Sequence, residues 1–324
     1  MEQTIRELLP EGSRKPFDDI VNQNVLGASR HIEMIGDMFE AIVERGISKN
    51  YKTTQVIDEI TKVAHYFIST RGEASQAVGN AIYMMIQGIE HYRELEIEVA
   101  GKKIIEVKNS YKIQSNQAIA KCVEYGTKLA RKMKNIFVYD YSSTVEKLLL
   151  SLGSDENKYT IYIAESRIID GGKPYVKACQ EAGHSIKFLP EASMMYDLKQ
   201  CDGVFMGAET FYPDGTGFNT TGSDIVGLIC KHYQIPLYFI TPMIKLDTRP
   251  VYGGEKNLVY QNLKDKLSKE WDSPCQYEQI DFVTPELVGV EPQFIKAFIT
   301  EKGVIPSSQM YQVSMEYSRQ LKGR

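Results

Sequence analysis

Cysteine, tryptophan and long apolar runs are scarce in this sequence. Its 324 residues include five cysteines and one tryptophan. No apolar stretch approaches the roughly 18 residues that a membrane-spanning helix requires. The N-terminus, MEQTIRELLPEGSRKPFDD, carries charged residues where a signal peptide would have an apolar run. These absences predict a soluble, cytoplasmic protein that makes no membrane contact.

The cysteines also lack the spacing that a functional role would require. No CxxC pair is present, and no histidine stands near a cysteine at the spacing of metal ligands. We therefore expect reduced, mostly buried thiols, with no disulfide, no metal site and no cofactor. The five positions are Cys122, Cys179, Cys201, Cys230 and Cys275.

An excess of positive charge is missing as well. The net charge of -4 gives no basic field for nucleic acid, so direct binding to DNA or RNA is disfavoured. The hydrophobic fraction of 43% and the charged fraction of 25% are those of an ordinary globular protein. Because the chain exceeds the usual size of a single domain, two domains are expected.

The first part of the chain has the apolar spacing of helices. Helices are predicted over residues 54–69, 73–91 and 112–134, with Gly46, Gly72 and Gly101 as breaks between helices. A further helix is indicated by apolar residues at intervals of three and four, namely Ile32, Ile35, Met38, Phe39, Ile42 and Val43.

Short apolar runs alternate with amphipathic helices in the second part. Such alternation is typical of βαβ units and a parallel sheet. We therefore predict an α/β protein with a helical N-terminal domain, residues 1–130, followed by a Rossmann-like domain, residues 131–324. The runs are IFVY (136–139), YTIYIA (159–164), SIKFL (185–189), GVFM (203–206) and PLYFIT (236–241).

Ligands of such sheets bind at the carboxyl ends of the strands. After the first run comes Asp140, followed by Ser142 and Ser143. The hydroxyls of the two serines either cap the next helix or help its amides to bind phosphate. After the second run stands Arg167, which either holds a phosphate or is an ordinary surface arginine.

The segment GVFMGAETFYPDGTGFNTTGSD, which begins with the fourth run, is the most informative of those at the strand ends. Glu209 follows a strand and a Gly-Ala pair, and Asn219 and Thr220 precede the next helix as another candidate anion site. Asp214-Gly215 is interpreted as a tight turn rather than a functional acid.

These segments resemble the family of the initiation factor 2B α/β/δ subunits and the methylthioribose-1-phosphate and ribose-1,5-bisphosphate isomerases. IYIAESRIIDGG is similar to its strand and E-[ST]-[RQ] turn, and GVFMGAETFYPDGTGFNTTGS to its V-x-x-GA-[DE]…N-x-x-G-[ST] signature. HYQIPLYFITP, DFVTPELV and FITEKGVIPSS continue the match. In the first half, VLGASR (25–30) and STRGEASQAVGNAI (69–82) resemble its [RL]-G-A and RPT…N-A-[IL] segments.

The resemblance implies a sheet domain related to phosphosugar isomerases and transferases, dimerisation through that domain, and a ligand site where the two domains meet. It supplies Glu209 and Asp140 as catalytic candidates. The ligand-binding candidates that it implies are Gly27, Ala28, Arg71, Ser142, Ser143, Arg167, Asn219 and Thr220.

Four positions depart from the isomerase pattern. The isomerases of the family use a cysteine where this chain has Asp140 and an aspartate where it has Glu209. A lysine and a glutamine of their ligand site are replaced by Thr220 and Gly171. Catalytic geometry tolerates displacements of only about an ångström, so these changes put catalysis in question.

Three interpretations remain open at this point. In the first, the chain is similar to the initiation factor 2B α subunit and binds a sugar phosphate or nucleotide. In the second it is an aldose–ketose isomerase acting on an aldose 1-phosphate, and in the third it binds no ligand. We expect a homodimer or larger even oligomer, because the apolar segment 287–298 exceeds what a sheet edge needs. Other initiation-factor subunits are further candidate partners.

Overall fold

Two compact units make up the chain in a computed structural model. The structure describes residues 2–25, 27–154, 158–254, 256, 258–269, 271 and 277–321. Leu26 of the VLGASR segment and Cys275 therefore lie outside the described residues. The helical unit comprises residues 1–118, 244–246 and 313–324, and the sheet unit comprises residues 119–243 and 247–312.

Most of the helices that sequence periodicity predicts are present. The predicted segments 54–69, 73–91 and 112–134 fall largely within α4, α5 and α6. The α-helices of the described residues are α1 (Glu2–Leu8), α2 (Glu11–Val21), α3 (Ala28–Ser48), α4 (Thr53–Ala74), α5 (Gln76–Ile86), α6 (Ile97–Ala130), α7 (Ser143–Leu152), α8 (Lys173–Glu181), α9 (Met194–Asp197), α10 (Ser223–Tyr233), α11 (Lys264–Leu267) and α12 (Met310–Leu321).

The three glycines that were predicted to break helices lie inside them instead. A Cβ added to Gly46, in α3, would stand 2.4 Å from Val56 Cγ2 of α4. A Cβ on Gly101, in α6, would stand 2.9 Å from Val43 Cγ1 of α3. These glycines let neighbouring helices approach closely, and helix packing compensates for their low helical propensity.

The apolar stripe of α3 forms part of the core of the helical unit. All six of its predicted residues are buried there. A buried amide also ties the unit together, because Asn80 Nδ2 donates to the carbonyl oxygens of Ile244 and Leu246 at 2.8 and 2.9 Å. Residues 244–246 thereby join helices from which they are distant in sequence.

A seven-stranded sheet with the order β12-β11-β7-β4-β1-β2-β3 forms the sheet unit. Every neighbouring pair is parallel except β11 with β12. The fold class predicted from the sequence is therefore confirmed, and the five predicted runs correspond to β1, β2, β3, β4 and β7. The strands of this sheet are β1 (Asn135–Val138), β2 (Thr160–Ala164), β3 (Ser185–Leu189), β4 (Gly203–Met206), β7 (Leu237–Ile240), β11 (Ala297–Thr300) and β12 (Gly303–Pro306).

Sequence patterns did not reveal the smaller sheets. A three-stranded sheet has the order β10-β6-β5, and β8 pairs with β9. Their strands are β5 (Thr210–Phe211), β6 (Gly217–Thr220), β8 (Tyr260–Asn262), β9 (Val283–Pro285) and β10 (Leu287–Val290).

The apolar segment 287–298 is mostly used within the fold, contrary to our interpretation of it as surplus. Its first residues form β10, which pairs with β6, and its last residues enter β11 between β7 and β12. Val290 and Phe298 are fully buried. The composition of this segment therefore does not support an oligomer interface.

Membrane-spanning character is absent from the helices that the structure describes, since none is both long and apolar enough. The four described cysteines are free and buried. Burial raises the pKa of the thiols of Cys179, Cys201 and Cys230 to about 12, so these thiols are protonated at neutral pH.

Candidate functional site

The turn between β1 and α7 begins with Asp140 in the left-handed region, at a φ of 57°. The helix N-cap is Ser142, whose Oγ accepts from Val145 N at 3.5 Å, so capping does not account for Asp140. Ser143 is the exposed first residue of α7. Gly207, after β4, lies so near Ser142 that a Cβ added to it would be 2.4 Å from Ser142 Cβ.

The carboxyl group of Asp140 is enclosed by residues from two other segments. Thr220 Oγ1 donates to Oδ2 at 2.7 Å, and Ser166 Oγ donates to Oδ1 at 3.3 Å. A Cβ added to Gly171 would lie 2.0 Å from Oδ1, so only glycine leaves room for the carboxyl group in this arrangement. Tyr175 donates its hydroxyl to the Asp140 carbonyl oxygen at 2.7 Å and fixes the backbone.

Burial raises the pKa of the Asp140 carboxyl group above its ordinary value. Hydrogen bonds from Thr220, the Tyr141 amide and Ser166 oppose this rise, and the negative charge of Glu209 adds to it. Desolvation is the largest of these effects because Asp140 is only 4% exposed. A raised pKa gives a carboxyl group more of the character of a proton donor.

Glu209 stands at the same edge of the sheet but is exposed to solvent. Its backbone N–H donates to Phe218 O at 2.8 Å, which places it between the end of β4 and the hairpin of β5 and β6. The structure thus brings together the two carboxylates that the sequence suggested as catalytic candidates. One is buried and the other is accessible.

The loop from Ser166 to Gly172 contributes the predicted Arg167. Two non-glycine residues of this loop, Ser166 and Asp170, have positive φ values of 49° and 56°. Strained backbone of this kind tends to occur at functional sites. The Arg167 side chain is exposed, and its backbone N–H donates to Glu191 Oε2 at 3.1 Å.

Tyr139 and Glu191 were missed by the sequence analysis. The fully buried hydroxyl of Tyr139 lies 2.6 Å from Glu191 Oε1 and 2.7 Å from the carbonyl oxygen of Thr221, and it can donate to either. Gly222, at a φ of 102°, makes room for this hydroxyl, because a Cβ there would be 2.1 Å away. Glu191 follows β3. Because ligands bind at the carboxyl ends of parallel strands, a search of the segment after that strand would have found it.

Three buried polar atoms near the start of α10 have no hydrogen-bond partner among the described residues. They are Asn219 Nδ2, Ser223 Oγ and Asp224 Oδ1. Asn219 is 6% exposed and Ser223 is fully buried. Thr220, between them, already donates to Asp140. A ligand atom that accepts from the Asn219 amide would satisfy one of these groups, and the free amides at the start of α10 favour an anion.

The remaining predicted residues belong to the helical unit. Gly27, at a φ of 98°, immediately precedes Ala28, the first residue of α3. Arg71 lies in the last turn of α4, and its buried Nε has no partner among the described residues. The same is true of Ser75 Oγ at the start of α5. The resemblance gave Arg71 and Arg167 as ligand-binding candidates, and that role stays a prediction for both.

Metal ligation has no obvious donor set in the part of the chain that the structure describes. No group of three or more histidine, cysteine, aspartate and glutamate side chains is placed there to hold a metal ion. The chemistry available at the sheet edge is that of two carboxylates, several hydroxyls, an amide and an arginine.

Comparison with known proteins gives matches over nearly the whole chain. The ribose 1,5-bisphosphate isomerase of Pyrococcus furiosus is 20% identical over 89% of both chains. The 5-methylthioribose 1-phosphate isomerase of Pyrococcus horikoshii superposes with a TM-score of 0.72 at 16% identity, covering 96% of this chain and 92% of the other.

A subunit of the tetrameric eIF2B β2δ2 complex of C. thermophilum also has this fold. Its TM-score is 0.64 at 15% identity, with 91% of both chains covered. The model of the initiation factor 2 subunit family matches residues 28–307, which contain all but one of the residues discussed as site candidates. That one is Gly27, directly before the match. The chain therefore belongs to the initiation factor 2 subunit family.

Proposed function

We propose that this chain binds a small phosphorylated ligand, a sugar phosphate or a nucleotide, at the carboxyl edge of its seven-stranded sheet, in the manner of an initiation factor 2B α-like protein. The observation that carries the proposal is the buried amide of Asn219 beside the start of α10, whose Nδ2 has no hydrogen-bond partner in the part of the chain that the structure describes. A buried donor without an acceptor costs about 1–3 kcal/mol, which a ligand oxygen would offset.

The charge distribution around this amide supports an anionic ligand. Arg167 is exposed at the same edge of the sheet, and the starts of α7 and α10 supply free backbone N–H groups. The hydrogen bond between Asp140 and Thr220 links the segments that lead into these two helices. Phosphate oxygens suit both the Arg167 guanidinium and the backbone N–H groups, since each oxygen accepts several charge-assisted hydrogen bonds.

Aldose–ketose isomerisation is the second candidate, and the carboxylate pair favours it. Isomerisation moves a proton between adjacent carbons, which requires a base and an acid. Glu209 is accessible enough to act as the base, and Asp140, whose pKa is raised, would hold a proton at higher pH than an ordinary aspartate. Two carboxyl groups in different environments are a common way of dividing these roles.

Asp140 also has features that favour binding without catalysis. Both of its carboxyl oxygens already accept hydrogen bonds from hydroxyls of this chain, and Gly171 closes off one of them. A proton shuttle must reach its substrate, so this enclosure limits what Asp140 can do in the observed arrangement. We therefore rank ligand binding first.

A binding screen with a turnover assay would test both candidates. Ribose 1,5-bisphosphate, methylthioribose 1-phosphate and AMP would each be added to the purified chain in a thermal-shift experiment. A ligand at 100 times its Kd should add about 2.7 kcal/mol of stability. NMR of the mixtures would then report whether the aldose is converted to a ketose.

The Asn219→Leu variant tests whether the bound ligand occupies the proposed place. We expect it to weaken binding at least about tenfold, the usual worth of a buried hydrogen bond to a charged partner. Asn116→Leu, at an exposed position of α6, is the matched control and should bind as the wild type does. Failure of the wild type to bind any of the three ligands would overturn the proposal.

A further inference from the structure

Lys266 of α11 contacts the Arg167 loop from 98 residues away in the sequence. Its Nζ lies 2.9 Å from Asp170 Oδ2 and donates to the carbonyl oxygen of Ile168 at 3.1 Å. Lys266 does not belong to the site that the sequence motifs indicated. The contact therefore links a segment of no assigned role to the loop that carries Arg167.

The loop needs such support because its backbone is not in a relaxed conformation. Ser166 and Asp170 both have positive φ, which costs a non-glycine residue of the order of 1 kcal/mol or more. Internal hydrogen bonds from Gly171 N to Ser166 O at 3.2 Å and from Gly172 N to Glu165 O at 3.1 Å close the loop. Outside contacts decide whether this conformation persists.

Charge gives Lys266 a second effect. The Asp170 carboxylate, on the same loop as Arg167, would repel an anionic ligand if it were unpaired. Its pairing with Lys266 neutralises this repulsion. The side chains of Lys266 and Asp170 are 29% and 64% exposed, and ion pairs as exposed as this contribute only about 0–1 kcal/mol to folding. Global stability is therefore a poor explanation of the contact.

We propose that Lys266 is a positioning residue, which holds the loop Ser166–Gly172 in place and neutralises Asp170 so that Arg167 presents its charge to the ligand. The effect on the ligand rests on the proposed function, whereas the effect on the loop does not. Lys264, on the same short helix, is a matched control, because its Nζ lies 4.9 Å from the centre of the Tyr277 ring and makes a different contact.

Hydrogen exchange tests the loop without any ligand. In Lys266→Met, the amides of Gly171 and Gly172 should exchange about fivefold faster than in the wild type, a change of roughly 1 kcal/mol in local opening. Lys264→Met should leave these amides unchanged, and Lys266→Arg should restore most of the protection. Trp271 is the single tryptophan of the chain, and its unchanged emission would verify that the segment around α11 remains packed in each variant.

Calorimetric titration with ribose 1,5-bisphosphate tests the effect on the ligand. Lys266→Met should weaken binding about fivefold in the wild-type background. It should weaken binding much less in the Asp170→Asn background, because no carboxylate then remains to be neutralised. A purely structural brace would give the same loss in both backgrounds.

The outcomes separate this proposal from the proposed function. Unchanged exchange at Gly171 and Gly172 in Lys266→Met overturns the positioning role. Faster exchange with unaltered affinity overturns the effect on the ligand, and faster exchange with equal losses of affinity in both backgrounds overturns the neutralisation of Asp170. A wild type that binds none of the three ligands removes the proposed function, and the exchange result then still decides whether Lys266 holds the loop.

Discussion

Asp140 is a buried residue that connects several segments of the candidate site. Its carboxyl group accepts from Thr220 and Ser166, which lie 80 and 26 residues away in the sequence. Asp140, Arg167 and Glu209 were located because each follows a predicted strand, and ligands of parallel sheets bind at the carboxyl ends of the strands. Thr220 was located because it precedes the helix that follows. Neither signal could reveal the hydrogen bonds among these residues, since the bonds depend on loop conformations with positive φ that no local pattern specifies.

The raised pKa of Asp140 leads to a prediction about stability and pH. An acid whose pKa is higher in the folded state favours folding while it is protonated. This contribution is complete below the unfolded pKa and is lost as the pH rises through the folded pKa. Asp140→Asn removes this loss. The free energy of unfolding of Asp140→Asn minus that of the wild type should therefore increase from pH 4 to pH 8, by about 1.4 kcal/mol for each unit by which folding raises the pKa of Asp140.

Urea denaturation across that pH range would measure the difference. Asp214→Asn is the matched control, because Asp214 is exposed in a turn where its Oδ1 accepts from Thr216 N at 2.8 Å, in agreement with the predicted tight turn. A difference between Asp140→Asn and the wild type that does not change with pH would show that the Asp140 carboxyl group is not destabilised by burial.

Glu209→Gln separates the two candidate functions. If the chain is an isomerase, the substitution removes the base while keeping the shape, and turnover should fall about 100-fold or more. If the chain only binds its ligand, affinity should change modestly. Kinetics and calorimetry on the same preparation would distinguish these results. A fully active Glu209→Gln beside a folded but inactive Asp140→Asn would show that the two roles are reversed.

Among the secondary-structure elements, five strands of the main sheet followed from the sequence, and the other seven strands of the described residues did not. Four of the five predicted runs are apolar enough to be buried on both faces, as parallel strands covered by helices are, whereas β3 lies at the edge of the sheet and is buried only at Leu189. By contrast, β5 has two residues and β8 and β9 have three each, which is too short for a pattern of alternation. The strand β6, with Asn219 and Thr220, contains the polar side chains that a site needs, so it does not resemble a buried strand.

The glycines within the helices were misinterpreted because glycine is also used where helices pack closely. We predict that Gly46→Ala destabilises the protein by about 1–3 kcal/mol, since its Cβ would overlap the fully buried Val56. Gly12→Ala in α2 is the control. A Cβ there meets no atom within 4 Å, so the substitution should be neutral or stabilising by up to about 1 kcal/mol.

Thermal or urea denaturation of both variants would check this prediction. Adding Val56→Ala to Gly46→Ala would remove the overlapping methyl groups, so the double variant should lose less stability than the two single variants together. Equal effects of alanine at Gly46 and Gly12 would mean that α3 and α4 are not packed as closely as in the structure.

For the whole molecule, sequence composition indicates a helical part and a sheet part but not every segment that belongs to each. Residues 244–246 and 313–324 group with the helical unit although the sheet unit lies between them and α5 in the sequence. Asn80 holds the first of these segments through two carbonyl oxygens. Contacts between residues so far apart leave no periodic signal in a single sequence.

The sequence also predicted self-association, and exposed apolar side chains of the sheet unit support it better than the segment 287–298 does. Of the 21 large apolar side chains exposed among the described residues, 18 belong to the sheet unit. Four of these lie on α9 and α10, which pack together, and we call them the α9–α10 face: Met195, Tyr196, Ile225 and Leu228. Exposed apolar residues grouped in this way are typical of interaction surfaces.

We predict a homodimer at micromolar concentration, formed through the sheet unit, with the α9–α10 face inside the interface. Symmetric dimers use the same patch on both copies, so each charge introduced there is buried twice. The double variant Ile225→Glu, Leu228→Glu should therefore be monomeric in sedimentation velocity. Its circular dichroism should be unchanged, because both side chains are about half exposed in the single chain, at 49% and 55%.

The control for this prediction lies in the helical unit. Val99→Glu with Ile113→Glu also introduces two carboxylates at exposed apolar positions, but on α6, and should leave the dimer intact. If both double variants remain dimeric, the interface lies elsewhere on the chain. A wild type that sediments as a monomer would end the idea of self-association, whereas the proposed ligand site would be unaffected, because all of its residues belong to one chain.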